Sequence, residues 1–197
     1  MNLLHKLQKD NLIYFDCERV EVDSENRLKL ALKAITLGAD IQAVSNLLCW
    51  QEFEEITALA LKANGYTVTK NLRFKHGGRR WELDVVGCRK PFVVCVDCKR
   101  WQHAISPSAL KRMVDSQMQR TQALSDCLPN ATLDLECTRW DRAEFVPAVL
   151  SLMQSAYKYV FDVPVVPVLS LQDFIYQLPT HICEVKFYSR TFTKLTP

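Results

Sequence analysis

From Trp81 to Lys99 the chain reads WELDVVGCRKPFVVCVDCK, two strand-forming runs separated by a short basic break. Val, Phe and Cys dominate, so each run predicts a buried β-strand and the pair predicts an antiparallel hairpin. Period-two alternation puts Asp97 and Lys99 on one face with Val93 and Cys95, and turns Val94, Val96 and Cys98 the other way. With the break at Cys88-Arg89-Lys90 and Gly87 set opposite Phe92, Asp84 faces Cys95. Asp97 is then its diagonal neighbour, about 7–8 Å away at Cβ. Two carboxylates and a lysine thus share one patch of an apolar hairpin. The carboxylates repel each other unless a cation lies between them. A hard divalent ion meets that demand, since Mg2+ takes oxygen ligands and is commonly held by one or two carboxylates plus substrate phosphate. The backbone carbonyl of Cys98 is a further candidate ligand. Lys99 is placed to hold an attacking water or to meet a phosphate oxygen, and together these are the parts of metal-assisted phosphodiester hydrolysis. The simpler reading is an Asp97–Lys99 surface ion pair worth under about 1 kcal/mol. It leaves unexplained why so apolar a strand surrounds the charges.

Upstream, Phe53, Ile56, Ala60 and Ala63 form an apolar stripe on a helix that Asn64-Gly65 ends. Glu52, Glu54 and Glu55 near its start are three candidates for a carboxylate that completes the site. TyrThrValThr at 66–69 predicts a strand or its approach. KNLRFKHGGRR then reads as a polar, basic loop with His76-Gly77-Gly78 at its tip. Ser106-Pro107 offers a cap and a first-turn proline for a helix to about Ser125. Its stripe of Leu110, Met113, Gln117, Thr121 and Leu124 has one polar misfit. Gln117 either approaches the site or bonds to backbone at the edge of the core. EFVPAVLSL predicts a strand, and VPVVPVLSLQDFIYQL a strand with a short helix, its prolines placing it at the sheet edge. The order indicates an α/β fold, a mixed β-sheet flanked by helices.

Residues 1–45 read as a small, mainly helical N-terminal unit, and 46–197 as the main domain. Leu3, Leu4 and Leu7 line a short helix, and LIYFDCERVEV is rich in strand formers. A helix capped by Ser24 runs to Leu37, Gly38 breaks it, and Asp40 caps a further helix with Ile41, Val44 and Leu48 on its apolar face. The pattern resembles a winged helix-turn-helix, although such helical hairpins are more often packing units. Forty-five residues hardly sustain a core of their own, so this unit is expected to pack on the rest.

The formal net charge of the 197 residues is +3, but it is unevenly spread. From Lys62 to Arg120 thirteen Lys and Arg stand against four acids, leaving the remainder net acidic. A basic middle suggests a polyanionic partner. Candidate nucleic-acid-binding residues are Lys70, Arg73, Lys75, Arg79 and Arg80 before the Asp84 strand, Arg100, Trp101 and His103 after Lys99, and Lys111, Arg112 and Arg120 on the next helix. Trp101 either stacks on a base or packs under the helix. No apolar run approaches the ~20 residues that span a bilayer. The amino terminus is charged too early for a signal peptide, so a cytoplasmic, intracellular protein without membrane contact is expected. The eight cysteines are dispersed. Cys95-Val-Asp-Cys98 is formally C-x-x-C, yet on a strand its thiols point to opposite faces and cannot easily close on one zinc. No phosphate-binding glycine loop or nucleophile elbow is present, so no nucleotide cofactor is expected.

The stretch from Trp50 to Trp101 resembles the PD-(D/E)xK nuclease superfamily, whose members share a restriction-endonuclease-like core. Within it the nearest look is to Mrr-type endonucleases and archaeal Holliday-junction resolvases. QEFEEITALALKANGYTV is similar to their first helix and following strand, ELDVVG to the strand of the first aspartate, and VVCVDCKRW to the strand of the D/E-x-K signature. FVPAVLSL and VPVVPVLSLQDFIYQL are similar to the trailing strands and last helix, so the resemblance covers roughly residues 46–180. It implies Glu54, Asp84, Asp97 and Lys99 as the catalytic set. Asp84 and Asp97 would hold Mg2+ or Mn2+, with Glu54 and the Cys98 carbonyl, and Lys99 would act on the water. Some members carry a glutamine on the helix after this strand, which extends the set to Gln117. Leu83 stands where the family has a proline before the first aspartate. The implied activity is Mg2+-dependent hydrolysis of phosphodiester bonds in DNA, in restriction, recombination or repair. Related nucleases often pair to cut two strands, which allows a homodimer. The alternative is a catalytically inactive nuclease-fold subunit that binds nucleic acid or assembles with other proteins.

Overall fold

The computed structural model describes residues 3–16, 18–40, 43–44, 47–99, 105–151 and 155–192. In chain order they form α1 (Leu3–Lys9), β1 (Tyr14–Phe15), β2 (Val20–Glu21), α2 (Ser24–Thr36), α3 (Trp50–Ala63), β3 (Thr67–His76), β4 (Arg79–Arg89), β5 (Phe92–Lys99), α4 (Pro107–Cys127), β6 (Arg142–Ser151), β7 (Tyr159–Val160), β8 (Val163–Pro167), α5 (Leu171–His181) and β9 (Tyr188–Thr191). Seven strands make one mixed sheet in the order β3-β4-β5-β6-β8-β7, and β9 pairs with the first half of β6. β3, β4 and β5 are antiparallel, whereas β5, β6 and β8 run parallel. The fold is thus the expected α/β one, a mixed sheet between helices. β6 is flanked on both sides and covered on both faces. Its unbroken buried run from Phe145 to Leu150 is what such a strand requires.

Two apolar layers hold the sheet. On one face Val85, Val94, Val96, Val146 and Leu150 pack with Phe53, Ile56 and Leu61 of α3 and Ile175 and Leu178 of α5. On the other, Val86, Val93, Cys95 and Phe145 pack with Leu124 of α4, and Val149 packs with Leu110 and Val114. Cys95 and Cys98 therefore lie in opposite layers, as strand alternation requires, and the described cysteines are free thiols. α4 starts as its sequence predicts, with the Ser106 hydroxyl accepting from the Ala109 amide and Pro107 in the first turn.

Four expectations need correction. KNLRFKHGGRR is not a loop but the outer half of the β3–β4 hairpin. Gly77 and Gly78 both adopt positive φ (58° and 74°), the type I′ condition that matches strand twist. Asp23, not Ser24, caps α2, accepting from the Asn26 amide at 2.7 Å. The buried side of α3 runs through Phe53, Ile56, Thr57 and Leu61, whereas Ala63 is exposed. β8 is not the sheet edge, because β7 pairs beyond it.

At the amino terminus, Leu28, Ala31 and Ile35 of α2 are buried in the same layer as Phe53 and Ile56. Arg27 pairs with Glu52 at 3.0 Å. Gly38 (φ 95°) ends α2, and Asp40 accepts from the Ala43 amide at 2.7 Å. Ile41 lies outside the described residues, and no residue of α1 is buried. Among the described residues no helix is long and apolar enough to cross a membrane.

α3 lies close on β4 because Gly87 has no side chain. A Cβ there would sit 3.0 Å from Leu61 Cδ1 and 3.3 Å from Tyr66 Cδ1. Gly87→Ala is expected to lower stability by about 1–2 kcal/mol through overpacking, read as a lower denaturation midpoint at unchanged slope.

Candidate active site

The β4–β5 turn is shorter than the sequence suggests. Arg89 pairs with Phe92, so Lys90-Pro91 alone makes the connection, and Val85 pairs with Val96. Extending that register by one residue puts Asp84 across from Asp97, not across from Cys95. The ladder pairing stops at Val85, but the two acids lie close enough for Asp97 to push the Asp84 carboxyl upward. The strand is bent at this point. Leu83 and Val86, three residues apart, lie in one layer, so the alternation slips at Asp84. Opposite it on β3, Asn71 is left-handed (φ 53°), a conformation that asparagine tolerates better than most residues. Asp84 Oδ2 accepts the Cys98 amide at 2.8 Å, tying the bend to β5.

Asp97 is 1% exposed. Its Oδ1 accepts from Lys99 Nζ at 3.0 Å and from Arg120 Nη1 of α4 at 2.7 Å. Its Oδ2 is buried with no hydrogen-bond partner. Gln117 is fully buried and donates from Nε2 to the Cys95 carbonyl at 2.8 Å, which fixes α4 against β5 two residues before Asp97. Of its two readings, the backbone bond is the one observed. Cys98 turns its thiol to Thr57 Oγ1 at 3.4 Å, so only its backbone is left to serve the acids.

The three glutamates of α3 have separate fates. Glu52 accepts the Cys49 amide at 2.6 Å, capping the helix. Glu55 pairs with Lys70. Glu54 is buried, accepts from Asn71 Nδ2 at 3.3 Å, and has Oε1 buried without a partner. Burial pushes the Glu54 carboxyl above the usual carboxylate range, and Asp84 pushes it the same way. Asp84 is raised first by burial and then by Asp97, offset in part by the Cys98 amide, Lys99 and Arg120.

Both raised acids bind protons more readily in the folded chain. Their contribution to stability is therefore full below the ordinary carboxylate range and declines as pH rises through the raised values. Asp84→Asn keeps an acceptor for Cys98 but removes the charge. In chelator near neutral pH it is expected to raise Tm by roughly 2–4 °C, the shift about 1 kcal/mol gives in a chain this size. A Tm–pH profile identical to that of the parent would count against the repulsion.

The acids fit a divalent ion through these atoms: two buried unpartnered oxygens, on Asp97 and Glu54, beside a carboxylate pair that repels. Among the described residues no group of three or more His, Cys, Asp or Glu is placed to hold a metal ion by itself. Mg2+ does not need one, since it keeps several waters.

The basic candidates scatter. Arg120 is the partner of Asp97 and about a third exposed. Arg73 pairs with Glu82 at 3.0 Å, and Arg79 lies 4.1 Å over the Trp81 ring. Lys75 and Arg80 are exposed on the hairpin, and Lys111 and Arg112 on α4. Arg100, Trp101 and His103 lie outside the described residues. Asn71 and the Arg120–Asp97 pair are site features beyond the sequence expectations. An asparagine within an alternating strand run was the one available signal for the first.

Residues 46–126 match a family model described as restriction endonuclease (Mrr_cat). That span contains Glu54, Asp84, Asp97, Lys99, Gln117 and Arg120. An uncharacterized protein of Archaeoglobus fulgidus is 27% identical over 139 residues, covering 70% of this chain and 98% of that protein. A solved structure of a protein of unknown function, AF1548, aligns with 53% of this chain at 11% identity and a TM-score of 0.37. This chain spans about half the length of that structure, 48%.

Proposed function

We propose that residues 46–126, which match the restriction endonuclease model, are a nuclease domain of the PD-(D/E)xK superfamily and that the protein is a Mg2+-dependent deoxyribonuclease. The observation that carries this reading is the closeness of Asp84 to Asp97, which helps raise the Asp84 carboxyl, beside Lys99, with one oxygen of Asp97 and one of Glu54 buried and unpartnered. Asp84, Asp97, Glu54 and the Cys98 carbonyl would hold Mg2+ or Mn2+. Bound there, the ion supplies a Lewis acid for the phosphate and acidifies a water. Lys99, about a third exposed, holds the attacking water and offers a proton donor to the phosphate oxygen. Arg120 holds the Asp97 carboxylate in place, and Gln117 fixes the strand that carries it. Residues 1–45 serve as an accessory unit that helps engage DNA.

A second reading has one observation in its favour: Lys99 and Arg120 already neutralise Asp97. The chain is then a nuclease-fold subunit that binds nucleic acid without turnover. The test is a panel of junction, flap, duplex and single-stranded DNA with Mg2+ or Mn2+, and Lys99→Ala as control. Metal-dependent cutting lost in the control supports the nuclease. Binding that survives both chelation and Asp97→Asn, with no cutting of any substrate, supports the subunit.

A further inference from the structure

Pairing of β5 with β4 begins at Val85, and β3 is the edge strand, so the outer hairpin, about residues 70–84, has no third strand beside it. Its two faces differ. Leu72, Phe74 and Leu83 are buried in the layer under α4, with Trp81 packed against them. The opposite face carries two cross-strand pairs, Arg73 with Glu82 and Lys75 with Arg80, all exposed. Arg73 is satisfied by Glu82 at 3.0 Å. Lys75 and Arg80 are like charges set directly opposite, and neither has an acidic partner among the described residues. Like charges in that position destabilise a hairpin. An anion between them removes the penalty, and a phosphate backbone supplies anions in series. A shallow concavity lined by Arg73, Phe74, Lys75, Arg80, Trp81 and Glu82 lies at this place. At the base of the ribbon Asn71 bonds Glu54, so the arm grows directly out of the acid site.

We infer that the outer β3–β4 hairpin is a DNA-docking arm that lies in the groove of a B-form duplex beside the acid site, with Lys75 and Arg80 on backbone phosphates. A two-stranded ribbon fits the ~12 Å major groove of B-DNA, while the deep, narrow groove of A-form RNA rejects it. Six residues separate Asp84 from Gly78, which at ~3.3 Å per residue gives an arm of about 20 Å. At ~3.4 Å per base pair the arm covers about six base pairs to one side of the acids. The inference rests on the nuclease reading for its substrate and adds that the flank must be double-stranded.

The experiment compares the full chain with Lys75→Gln/Arg80→Gln, with binding read by fluorescence anisotropy in Ca2+ against duplex DNA, single-stranded DNA and duplex RNA. A footprint on duplex DNA accompanies it. The variant is expected to bind duplex DNA about tenfold or more weakly and to lose about 2 from the slope of log affinity against log salt. Its footprint should shrink by about six base pairs on one side, while its affinity for single strands stays near that of the parent. Because two repelling charges are removed, its Tm should not fall, which separates lost contact from lost fold. Equal weakening on single-stranded DNA, equally tight binding of duplex RNA by the parent, or no change on duplex DNA would each overturn the arm while leaving a DNA-binding nuclease standing. A chain that binds and cuts no DNA at all overturns both.

Discussion

On the proposed nuclease reading, Lys99→Ala is expected to lower the single-turnover rate of Mg2+-dependent DNA cleavage by about 10²–10⁴-fold, the range for losing a positioned proton-transfer or charge-stabilising group. The same change costs little stability. Lys99 is about a third exposed at the end of β5, and Asp97 keeps Arg120 at 2.7 Å when the lysine is gone. An ion pair of that exposure contributes about 1 kcal/mol or less. Asp97→Asn gives the complementary result. It preserves shape, leaves two partly exposed cations free to turn to solvent, and removes a negative charge that a divalent ion needs. Cleavage should fall at least as far and should not return at high Mg2+. Asp97→Ala is the poorer control, since it also empties a site 1% exposed and removes the partner of both cations. Rates from quenched-flow or gel assays, set beside Tm of each variant in chelator, separate chemistry from folding. A Lys99→Ala protein that cuts at the parental rate would falsify the assignment of the lysine.

What could be read in the residues follows the range of the forces involved. The alternation in 81–99, the cap at Ser106-Pro107 and the apolar run of β6 are local, and each produced the element it predicts. Glu54 stood out among three glutamates only through the resemblance. The structure separates the three because Glu52 is used as a cap and Glu55 faces Lys70. The hairpin register differs from the sequence expectation by two in its residue sum. Two central residues close the turn, and Pro91 belongs to it rather than to the strand. The shifted register brings Asp84 nearer to Asp97 than the diagonal expectation, and Asp97 helps raise its carboxyl. KNLRFKHGGRR looked like a loop because only one of its faces is apolar. Leu72, Phe74, Trp81 and Leu83 alternate correctly across Gly77-Gly78, and a one-sided ribbon is what that pattern encodes. The Arg120–Asp97 pair had no local signal. It joins residues 23 apart in sequence through the packing of α4 on β5, and only the tertiary structure brings them together.

That pair yields the second large effect. Arg120→Ala should destabilise the chain in chelator by about 2 kcal/mol. The figure lies between the 1 kcal/mol or less of an exposed pair and the 3–5 kcal/mol of breaking a buried one. The intermediate value is argued from exposure: Asp97 is 1% exposed and Arg120 31%. Removing the arginine leaves the buried carboxylate with Lys99 alone on Oδ1 and still nothing on Oδ2. A divalent ion can supply the missing positive charge. The variant should therefore gain more from Mg2+ than the parent does, because the parent has already spent part of the carboxylate's charge on the guanidinium. An ion at one hundred times its Kd stabilises by about 2.7 kcal/mol, enough to offset the deficit. The measurement is Tm against Mg2+ concentration for parent, Arg120→Ala and Arg120→Lys. The expected order of the Mg2+-induced rise is Ala greatest, with Lys close to the parent, since it restores charge without the guanidinium's planar fork. Parallel curves for all three would mean that the ion never reaches Asp97, and the acid pair would then be a structural feature held by Lys99 and Arg120 rather than a metal site.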